Sequence, residues 1–222
     1  MWNRKDQLLQ PSLEQKKEQQ NRQMDLMLSS VIERLQKHSP SEIAEKSGVV
    51  YDEEKQILTM DSLGMQLIIS LPDYTINQEL EMWHHLTVLQ YLETADGTPM
   101  APLEQVISLT DLSGGLARGV GFNKDIETMF AQWFSDVSPE QFASACEKLG
   151  GTLVKGRGDV SAVLWYAPRY PVTVNFWCAD DEFKAQGKTL LNRESEHYLT
   201  IEAAGGVCST VVQAIRDACR SI

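Results

Sequence analysis

The stretch from Pro168 to Glu202, PRYPVTVNFWCADDEFKAQGKTLLNRESEHYLTIE, decides the fold of the chain. Residues 172–177 are largely apolar, as are residues 160–166 just before them, and such runs are typical of strands in the centre of a sheet. Residues 189–191 predict one more short strand, which follows a group of carboxylates. We therefore expect a sheet here, with the rest of the chain serving as the framework that presents it.

On the N-terminal side of this stretch the pattern changes from strands to helices and back. Apolar runs at 49–51, 57–60 and 65–71 are separated by short gaps, which favours an antiparallel meander. Helical spacing of apolar residues indicates helices at about 77–93, 123–135, 139–149 and 210–220. The sequence thus predicts an α+β fold, with a mainly antiparallel or mixed sheet packed by several helices.

Several helix starts can be predicted from local chemistry. Ser39-Pro40-Ser41-Glu42 and Ser138-Pro139-Glu140-Gln141 are capping boxes with proline at the first helical position. Asn77 and Asn123 are predicted to begin two further helices. The glycine-rich segment SGGLARGVG at 113–121 is then expected to be a loop that leads into the second of them.

The N-terminal region has a different composition. Residues 1–23 are rich in glutamine and charge, which predicts a polar arm, and residues 24–222 are predicted to form a single α+β domain. An apolar helical stripe begins at Met24 and continues to Leu35. The arm is therefore expected to lead into a helix, and to offer a surface for self-association or for a protein partner.

Composition narrows the function classes. The content of 42% hydrophobic and 23% charged residues is that of a globular protein. The formal net charge of −11 repels phosphate backbones and anionic membrane surfaces, so neither a nucleic acid nor a membrane is expected as a partner. We find no apolar run near the roughly 20 residues of a membrane span, no signal peptide, and no C-x-x-C pair among the cysteines. We therefore expect a cytoplasmic protein.

The carboxylates that follow the central strand are the first candidate site. Asp180, Asp181 and Glu182 supply oxygen ligands of the kind that hard cations prefer. Asp181 or Glu182 can also serve as a general acid or base, with His197 as a further catalytic candidate if it approaches the cluster. The alternative is that an aspartate caps a short helix at 183–187, where negative charge suits the helix N-terminus.

A second candidate site lies in the glycine-rich segment. The amides of Gly114 and Gly115, together with a helix N-terminus and the charge of Arg118, can hold an anion. The alternative is a flexible loop. Arg169 stands between Pro168 and Pro171, where a fixed guanidinium can meet a carboxylate of a ligand or of the protein itself. No specific cofactor follows from any of these residues.

Several motifs in this order resemble a known family. They are LQYLETADGTPM (89–100), SLTDLSGG (108–115), EQFASACEKLGG (140–151), PRYPVTVNFW (168–177), DDEF (180–183) and HYL (197–199). Together they resemble a family of domains of unknown function found mainly in anaerobic bacteria and archaea, over Met24 to Ile222. The resemblance implies one intact domain and an anaerobic source, and it implies no catalytic residue.

Three functions are compatible with these features. The first is a cytosolic accessory protein of anaerobic metabolism that holds a small ligand or cofactor near Arg118, Arg169 and the Asp180–Glu182 corner. The second is an acid/base enzyme that uses the carboxylate cluster with a divalent metal and His197. The third is an interaction module that acts through the N-terminal arm.

Overall fold

Two antiparallel sheets organise the chain, and helices cover them. The structure is a computed structural model that describes residues 13–221. Its helices are α1 (Leu13–Leu35), α2 (Pro40–Ser47), α3 (Met82–Thr94), α4 (Gly115–Trp133), α5 (Pro139–Lys148) and α6 (Ile201–Cys219). Its strands are β1 (Val50–Asp52), β2 (Ile57–Ser62), β3 (Met65–Ser70), β4 (Thr75–Ile76), β5 (Val106–Ile107), β6 (Thr152–Leu153), β7 (Val160–Ala167), β8 (Tyr170–Trp177) and β9 (Gln186–Asn192). Two 3-10 turns lie at Leu109–Asp111 and Ser195–His197. The predicted α+β fold is confirmed.

The larger sheet is built on the stretch that decides the fold. Its strand order is β5-β9-β8-β7-β6, with every pair antiparallel. β7 and β8 form a hairpin whose last pair is Ala167 with Tyr170, so Pro168 and Arg169 make the turn. β8 lies at the centre, as its apolar sequence predicts, because a strand covered on both sides needs apolar residues at most positions.

The core between this sheet and the helices is aromatic. Phe130 and Phe134 of α4, Phe142 of α5 and Phe176 of β8 are fully buried, and the rings of Phe142 and Phe176 stack with centroids 4.2 Å apart. Gly187 of β9 makes room for this cluster, because a Cβ at that position would collide with the ring of Phe130. Side-chain packing of this kind fixes how α4 lies across β9.

The smaller sheet is the predicted meander, with strand order β1-β2-β3-β4. It meets the larger sheet at the β2–β3 turn, where the amide of Leu63 donates to the carbonyl of Trp165 at 2.9 Å. Ser62 of β2 and His84 of α3 are both buried, and Oγ of Ser62 lies 2.9 Å from Nε2 of His84. Burial lowers the pKa of His84 to about 4, so this imidazole is a neutral structural partner of the serine.

The glycine-rich segment is the main difference between the prediction and the structure. The expectation of a loop that ends at Asn123 is wrong, because α4 begins eight residues earlier, at Gly115, with Gly114 as its N-cap in the left-handed region (φ 77°). Gly115 and Gly119 lie against the main chain of Leu109 and Thr110. The glycines therefore allow α4 to pack closely on the 3-10 turn at Leu109–Asp111, and the segment is helical.

The starts of α3 and α6 also differ from prediction. The amide of Asn77 donates to the carbonyl of Ile68 at 3.0 Å, which continues the strand pairing, so α3 begins only at Met82 with Glu81 as its N-cap. α6 begins at Ile201 instead of near residue 210, with Thr200 as its N-cap. The pair Gly205-Gly206 resembles a loop signal but lies inside this helix. Residue 205 is glycine because a Cβ there would lie 2.7 Å from the ring of Phe122.

The capping residues before α2 and α5 are confirmed. Ser138 and Gln141 form the reciprocal capping box. Ser39 accepts from the amide of Glu42 at 3.2 Å, but the Glu42 side chain pairs with Lys46 at 2.8 Å, so only half of the predicted box is present there.

The N-terminal helix extends the predicted one toward the N-terminus. α1 already begins at Leu13, while the first buried side chain within its described part is Met24, followed by Val31 and Leu35. Of the predicted arm at residues 1–23, residues 1–12 lie outside the described part of the chain and residues 13–23 belong to α1. Within residues 13–221, none of the helices combines the length and the apolar character that a bilayer crossing requires.

Candidate functional site

The carboxylate cluster lies in the connection between β8 and β9. Oδ1 of Asp180 accepts from the amides of Glu182 at 2.9 Å and Phe183 at 2.6 Å, and the amide of Asp180 donates to the carbonyl of Phe183 at 2.9 Å. Asp180 therefore closes a tight turn. No helix forms at 183–187, because β9 begins at Gln186, so the predicted helix is wrong although its predicted cap residue does accept main-chain amides.

Asp181 and Glu182 extend from this turn into solvent, where both side chains are exposed. Among residues 13–221, no group of three or more His, Cys, Asp and Glu side chains is arranged to hold a metal ion. A carboxylate that is open to water has little to position it for catalysis. The geometry thus gives no support to a metal or a general base at this corner.

His197 lies at the opposite end of β9 from the carboxylate cluster. The cluster precedes Gln186, the first residue of β9, whereas His197 follows Asn192, its last residue. A strand of 7 residues separates its ends by about 20 Å. His197 and the Asp180–Glu182 corner therefore form no common site, and a mechanism that joins them is excluded.

Arg169 is used inside the protein. Its Nη1 donates to the carbonyls of Lys46 at 3.0 Å and Gly97 at 3.2 Å, and its Nη2 donates to the carbonyl of Glu45 at 3.2 Å. The guanidinium thus ties the C-terminal turn of α2, where the helix dipole is negative, to the segment that follows α3. Its partners are main-chain carbonyls and not the predicted carboxylate, and Arg169 offers no free fork to a ligand.

Arg118 lies on the first turn of α4 and is paired with α6. Its Nε lies 3.3 Å from Oε1 of Glu202, and both side chains are more than half exposed. An exposed pair of this kind contributes little to stability, but it neutralises the acidic residue nearest the start of α6.

The N-termini of α4 and α6 lie side by side. A Cβ placed on Gly114 would contact Cγ2 of Ile201, Arg118 pairs with Glu202, and Gly205 touches Phe122. These contacts advance in the same direction along both helices, so the helices are parallel and their positive ends open on one surface. The amides of Ile201 and Glu202 have no acceptor within α6, because they belong to its first turn.

His197 stands beside these helix ends, held by Asp96. Nδ1 of His197 lies 2.7 Å from Oδ2 of Asp96 and 3.2 Å from the hydroxyl of Thr98, while its Nε2 lies 3.5 Å from a carboxylate oxygen of Glu194. The hydrogen bond with Asp96 raises the pKa of His197, and the same bond lowers the pKa of Asp96 to about 2. The pairing with Asp96 therefore favours the protonated form of the imidazole.

Other side chains fix the position of the turn that carries His197. The hydroxyl of Tyr198 donates to the carbonyl of Thr98, and the hydroxyl of Thr94 donates to the carbonyl of Tyr198. The ring of Tyr198 is buried and stacks on Tyr91, with centroids 5.8 Å apart. His197 thus belongs to a turn that is anchored in the core, although the imidazole itself is open to solvent.

Between His197 and the two helix ends lies a depression of about 420 Å³, which we call the His197 groove. It is lined by Leu112, Ser113, Glu196, His197, Leu199, Thr200 and Ile201. Glu196 accepts from the amide of Ser113 at 3.1 Å and from its hydroxyl at 3.0 Å. The groove therefore combines an apolar floor with one imidazolium, two hydroxyls and one carboxylate that is already engaged.

A smaller depression of about 220 Å³ adjoins the groove across Leu199 and Thr200. Arg34 of α1 forms its other wall and donates through Nη2 to Oε2 of Glu93 at 2.9 Å. This ion pair joins the last turns of α1 and α3, so the cation is not free for a ligand.

The structure brings together Gly114, Arg118 and His197 from the predicted candidates, and it separates all three from Asp180, Asp181 and Glu182. Asp96, the residue that fixes His197, was missed because Asp96-Gly97 reads as an ordinary turn signal. Glu196 was missed as well. The only sequence signal for this site is the polar group Glu194 to His197 directly after a strand, and that signal does not reveal its partners.

The cysteines are not part of a reactive site. Cys146 and Cys208 are buried free thiols, and burial raises the pKa of each to about 12. Burial and the nearby carboxylate of Asp159 raise the pKa of Cys178. A thiol with a raised pKa is a poor nucleophile near neutral pH.

Comparison with known proteins gives a family but no activity. A family model described as a domain of unknown function, DUF3786, matches residues 39–214. No curated protein and no solved structure matches the chain. The matched residues include the larger sheet, Asp96 and His197, and they leave out α1, so the family domain is shorter at both ends than the sequence motifs predicted.

Proposed function

The chain belongs to the DUF3786 family of domains of unknown function, and since this membership assigns no reaction, we propose from its geometry that it binds a small anionic ligand in the His197 groove. The ligand class is a molecule that joins a carboxylate or phosphate group to a short apolar body. In this role the protein is a binding or accessory protein, and Gly114, Arg118 and His197 are the predicted candidates that take part.

The observation that carries this proposal is the pairing of His197 with Asp96 beside two parallel helix N-termini. The 2.7 Å contact favours the charged form of the imidazole and orients its ring. The amides of Ile201 and Glu202 point out of the first turn of α6, and such amides bind anions.

Two acidic residues near the groove, Glu196 and Glu202, already have partners within the protein. Glu196 is engaged by the amide and hydroxyl of Ser113, and Glu202 is paired with Arg118. His197 is itself paired with Asp96 at 2.7 Å, so the attraction for an anion comes mainly from the free amides at the start of α6. A ligand anion at the start of α6 therefore meets the helix dipole and an imidazolium without displacing a buried group.

The floor of the groove determines the rest of the ligand. Leu112 and Leu199 are buried and Ile201 is half-buried, and the volume of about 420 Å³ lies within the range of small-molecule sites. Leu116, which is 87% exposed, continues the apolar surface along α4 from the Gly114 end. A charged head and an apolar body of a few carbon atoms fit this lining.

The proposal can be tested by titrating the full chain with hexanoate, and separately with inorganic phosphate, while recording amide NMR spectra. We expect saturable shifts at Gly114, Gly115, Ile201 and Glu202, with larger shifts for hexanoate because of its apolar part. His197→Gln should weaken the binding at least tenfold, and Asp181→Asn, at the far end of β9, is the matched control. If no shifts appeared, or if His197→Gln left the binding unchanged, the groove would not be an anion site.

Acid/base chemistry is a second function, and the Asp96–His197 pair favours it. A carboxylate that orients an imidazole is a recurring arrangement in acid/base catalysts. Because the pKa of His197 is raised, the imidazolium would act as a general acid toward a ligand in the groove. This assigns the catalytic role to His197 and takes it away from Asp181 and Glu182. A reaction in the groove would lose activity as the pH rises through the pKa of His197.

The metal-dependent version of the enzyme has its own test. A divalent ion at Asp180, Asp181 and Glu182 predicts that Mg²⁺, Mn²⁺ or Ca²⁺ raises the melting temperature of the full chain. Chelator should reverse the increase. A melting temperature that is indifferent to all three ions and to the chelator argues against the site, and the closed turn at Asp180 leads us to expect that result.

A protein-binding role for the N-terminal arm is a third function. α1 begins at Leu13, and its described side chains before Met24 are exposed, so this half of the helix contributes little to the core. Deletion of residues 1–12 should leave the melting temperature unchanged and should alter the assembly state or partner binding if the arm is an interaction element. Sedimentation that is unchanged over a range of concentrations would argue against self-association.

We place this role in the cytoplasm, in anaerobic metabolism, and without a nucleic acid partner. All four cysteines are free thiols, as expected in a reducing compartment. The acidic net charge opposes phosphate backbones, and the anaerobic source rests on the sequence resemblance. Native mass spectrometry of protein purified without oxygen would report a retained ligand and the assembly state together.

A further inference from the structure

The lining of the His197 groove contains charged side chains of both signs, those of Glu196 and His197. Glu196 accepts from the amide of Ser113 at 3.1 Å and from its hydroxyl at 3.0 Å, and both contacts use Oε2. Its other oxygen, Oε1, has no hydrogen-bond partner in the part of the chain that the structure describes, residues 13–221. Ser113 thus holds the carboxylate in place, and one oxygen remains to accept from a ligand.

The carboxylate of Glu196 and the start of α6 meet at one short segment. Ser113, which binds Glu196, directly precedes Gly114, and a Cβ placed on Gly114 would lie 3.9 Å from Cγ2 of Ile201. Consecutive Cα atoms are about 3.8 Å apart, so the carboxylate and the first turn of α6 lie within reach of one small molecule. The groove therefore offers an acceptor for a cation beside amide donors for an anion.

The cations beside the groove are already paired. His197 lies 2.7 Å from Asp96, and Arg118 lies 3.3 Å from Glu202. A ligand that is only an anion thus finds the amides of α6 but has to approach the negative charge of Glu196. A ligand that carries an ammonium group beside its carboxylate is neutral overall and gives Glu196 a partner.

The remainder of the lining is largely apolar. Leu112 and Leu199 are buried and Ile201 is half-buried, and the groove has a volume of about 420 Å³. Such a surface suits an aliphatic side chain of a few carbon atoms, because burial of that chain removes apolar area from water. The groove therefore combines the three features that a free aliphatic amino acid requires.

We propose that the ligand of the groove is an aliphatic α-amino acid, bound as a zwitterion. Its carboxylate accepts from the amides of Ile201 and Glu202. Its ammonium group donates to Oε1 of Glu196, and its side chain lies on Leu112 and Leu199. This inference rests on the anion site proposed above and adds the ammonium group to the ligand. Glu196 is then the residue that selects an amino acid over a simple carboxylic acid.

A set of three ligands tests this on the full chain. They are L-leucine, 4-methylpentanoate, which lacks only the ammonium group, and 3-methylbutylamine, which lacks only the carboxylate. Amide NMR titrations give the affinity of each ligand and report shifts at Gly114, Ile201 and Glu202. We expect L-leucine to bind about tenfold or more tightly than either partial ligand, because each of these loses one charged contact.

Glu196→Gln tests the ammonium contact by itself. Glutamine can still accept from Ser113 through its side-chain oxygen, but it has no charge to offer the ammonium group. The variant should bind L-leucine about tenfold or more weakly, and it should bind 4-methylpentanoate at least as well as the unaltered chain. Asp181→Asn is the control, because it removes an equal charge at the far end of β9 and should leave the preference for L-leucine unchanged.

The outcomes distinguish this inference from the anion site on which it rests. Equal affinities for L-leucine and 4-methylpentanoate would overturn the inference and leave the anion site in place, as would an undiminished affinity of Glu196→Gln for L-leucine. Equal affinities for 3-methylbutylamine and L-leucine would overturn both, because the carboxylate would then contribute nothing. If none of the three ligands shifted the amides of Gly114, Ile201 and Glu202, both would likewise be wrong.

Discussion

Nδ1 of His197 lies 2.7 Å from Oδ2 of Asp96, a contact that spans 101 residues of sequence. It joins the end of α3 to the turn after β9, and it sets the charge at one wall of the groove. The same contact raises the pKa of His197 and, together with the hydrogen bonds from Thr98, lowers that of Asp96.

Asp96→Asn should lower the pKa of His197 toward the value of 6.5 for an unpaired imidazole. The physical reason is that the amide keeps the shape of the carboxylate but removes its charge and its acceptor strength. Proton NMR titration of the His197 ring measures the change directly. Glu194→Gln is the control and should have a smaller effect, because its oxygen lies 3.5 Å from Nε2.

The pH dependence of the stability should reflect the Asp96–His197 pair. A raised histidine pKa stabilises the folded state below the unfolded pKa, and that contribution is lost as pH rises through the folded value. A lowered aspartate pKa stabilises above the unfolded value of 3.8 and is lost as pH falls toward about 2. Asp96→Asn should therefore cost stability at pH 5 and little at pH 9. An equal loss at both pH values would contradict the pairing.

Arg169 is expected to matter for stability and not for ligand binding. Arg169→Ala removes three bonds to carbonyls of Glu45, Lys46 and Gly97, and a hydrogen bond to a charged group contributes about 1.5–3 kcal/mol net of the exchange with water. We expect a loss of about 2–3 kcal/mol in urea denaturation. Lysine should restore little of it, because an ammonium cannot reproduce the planar fork.

Arg118→Ala is the matched control for Arg169. Its only ion pair in the described part of the chain is the exposed contact with Glu202, which contributes within about 1 kcal/mol. If the two alanine variants were equally stable, Arg169 would not be the tie between α2 and the segment after α3.

Asp180 should contribute to stability through its turn and not through a metal. Asp180→Ala removes an acceptor for two amides, and we expect a loss of about 1 kcal/mol. Asp181→Ala, next to it and exposed, should change stability by less than about 0.5 kcal/mol. Denaturant titrations with and without Mg²⁺ should give the same difference, and a difference that appears only with Mg²⁺ would restore the metal site.

The sheet could be predicted from sequence because its signal is local. The largely apolar sequence of β8 indicates a strand at the centre of the sheet, and the Pro168–Arg169 turn indicates the hairpin. The helix starts at Gly115 and Ile201 could not be predicted in this way. The glycines in these helices are typical of loops in a sequence. They are needed because α4 packs closely on Leu109 and α6 on Phe122, which only the tertiary structure reveals.

The groove was harder to predict than the fold. His197 was a candidate, but its partner Asp96 lies 101 residues away and has no periodic relation to it. Arg169 was predicted to meet a carboxylate of a ligand or of the protein itself, because main-chain carbonyl partners leave no trace in a sequence. Sites assembled from the ends of several elements are for this reason less visible than single motifs.

The close approach of α4 to the first 3-10 turn gives a test within one helix. Gly119→Ala would place a Cβ 2.5 Å from the carbonyl oxygen of Leu109, whereas nothing lies within 4 Å of a Cβ at Gly121. In an open helical position, glycine to alanine stabilises by about 1 kcal/mol. We therefore expect Gly121→Ala to raise the free energy of unfolding by about that amount and Gly119→Ala to lower it by about 2 kcal/mol or more, since main chain must move. Urea denaturation of both variants measures the difference. If both substitutions stabilised the protein, α4 would not pack closely on Leu109.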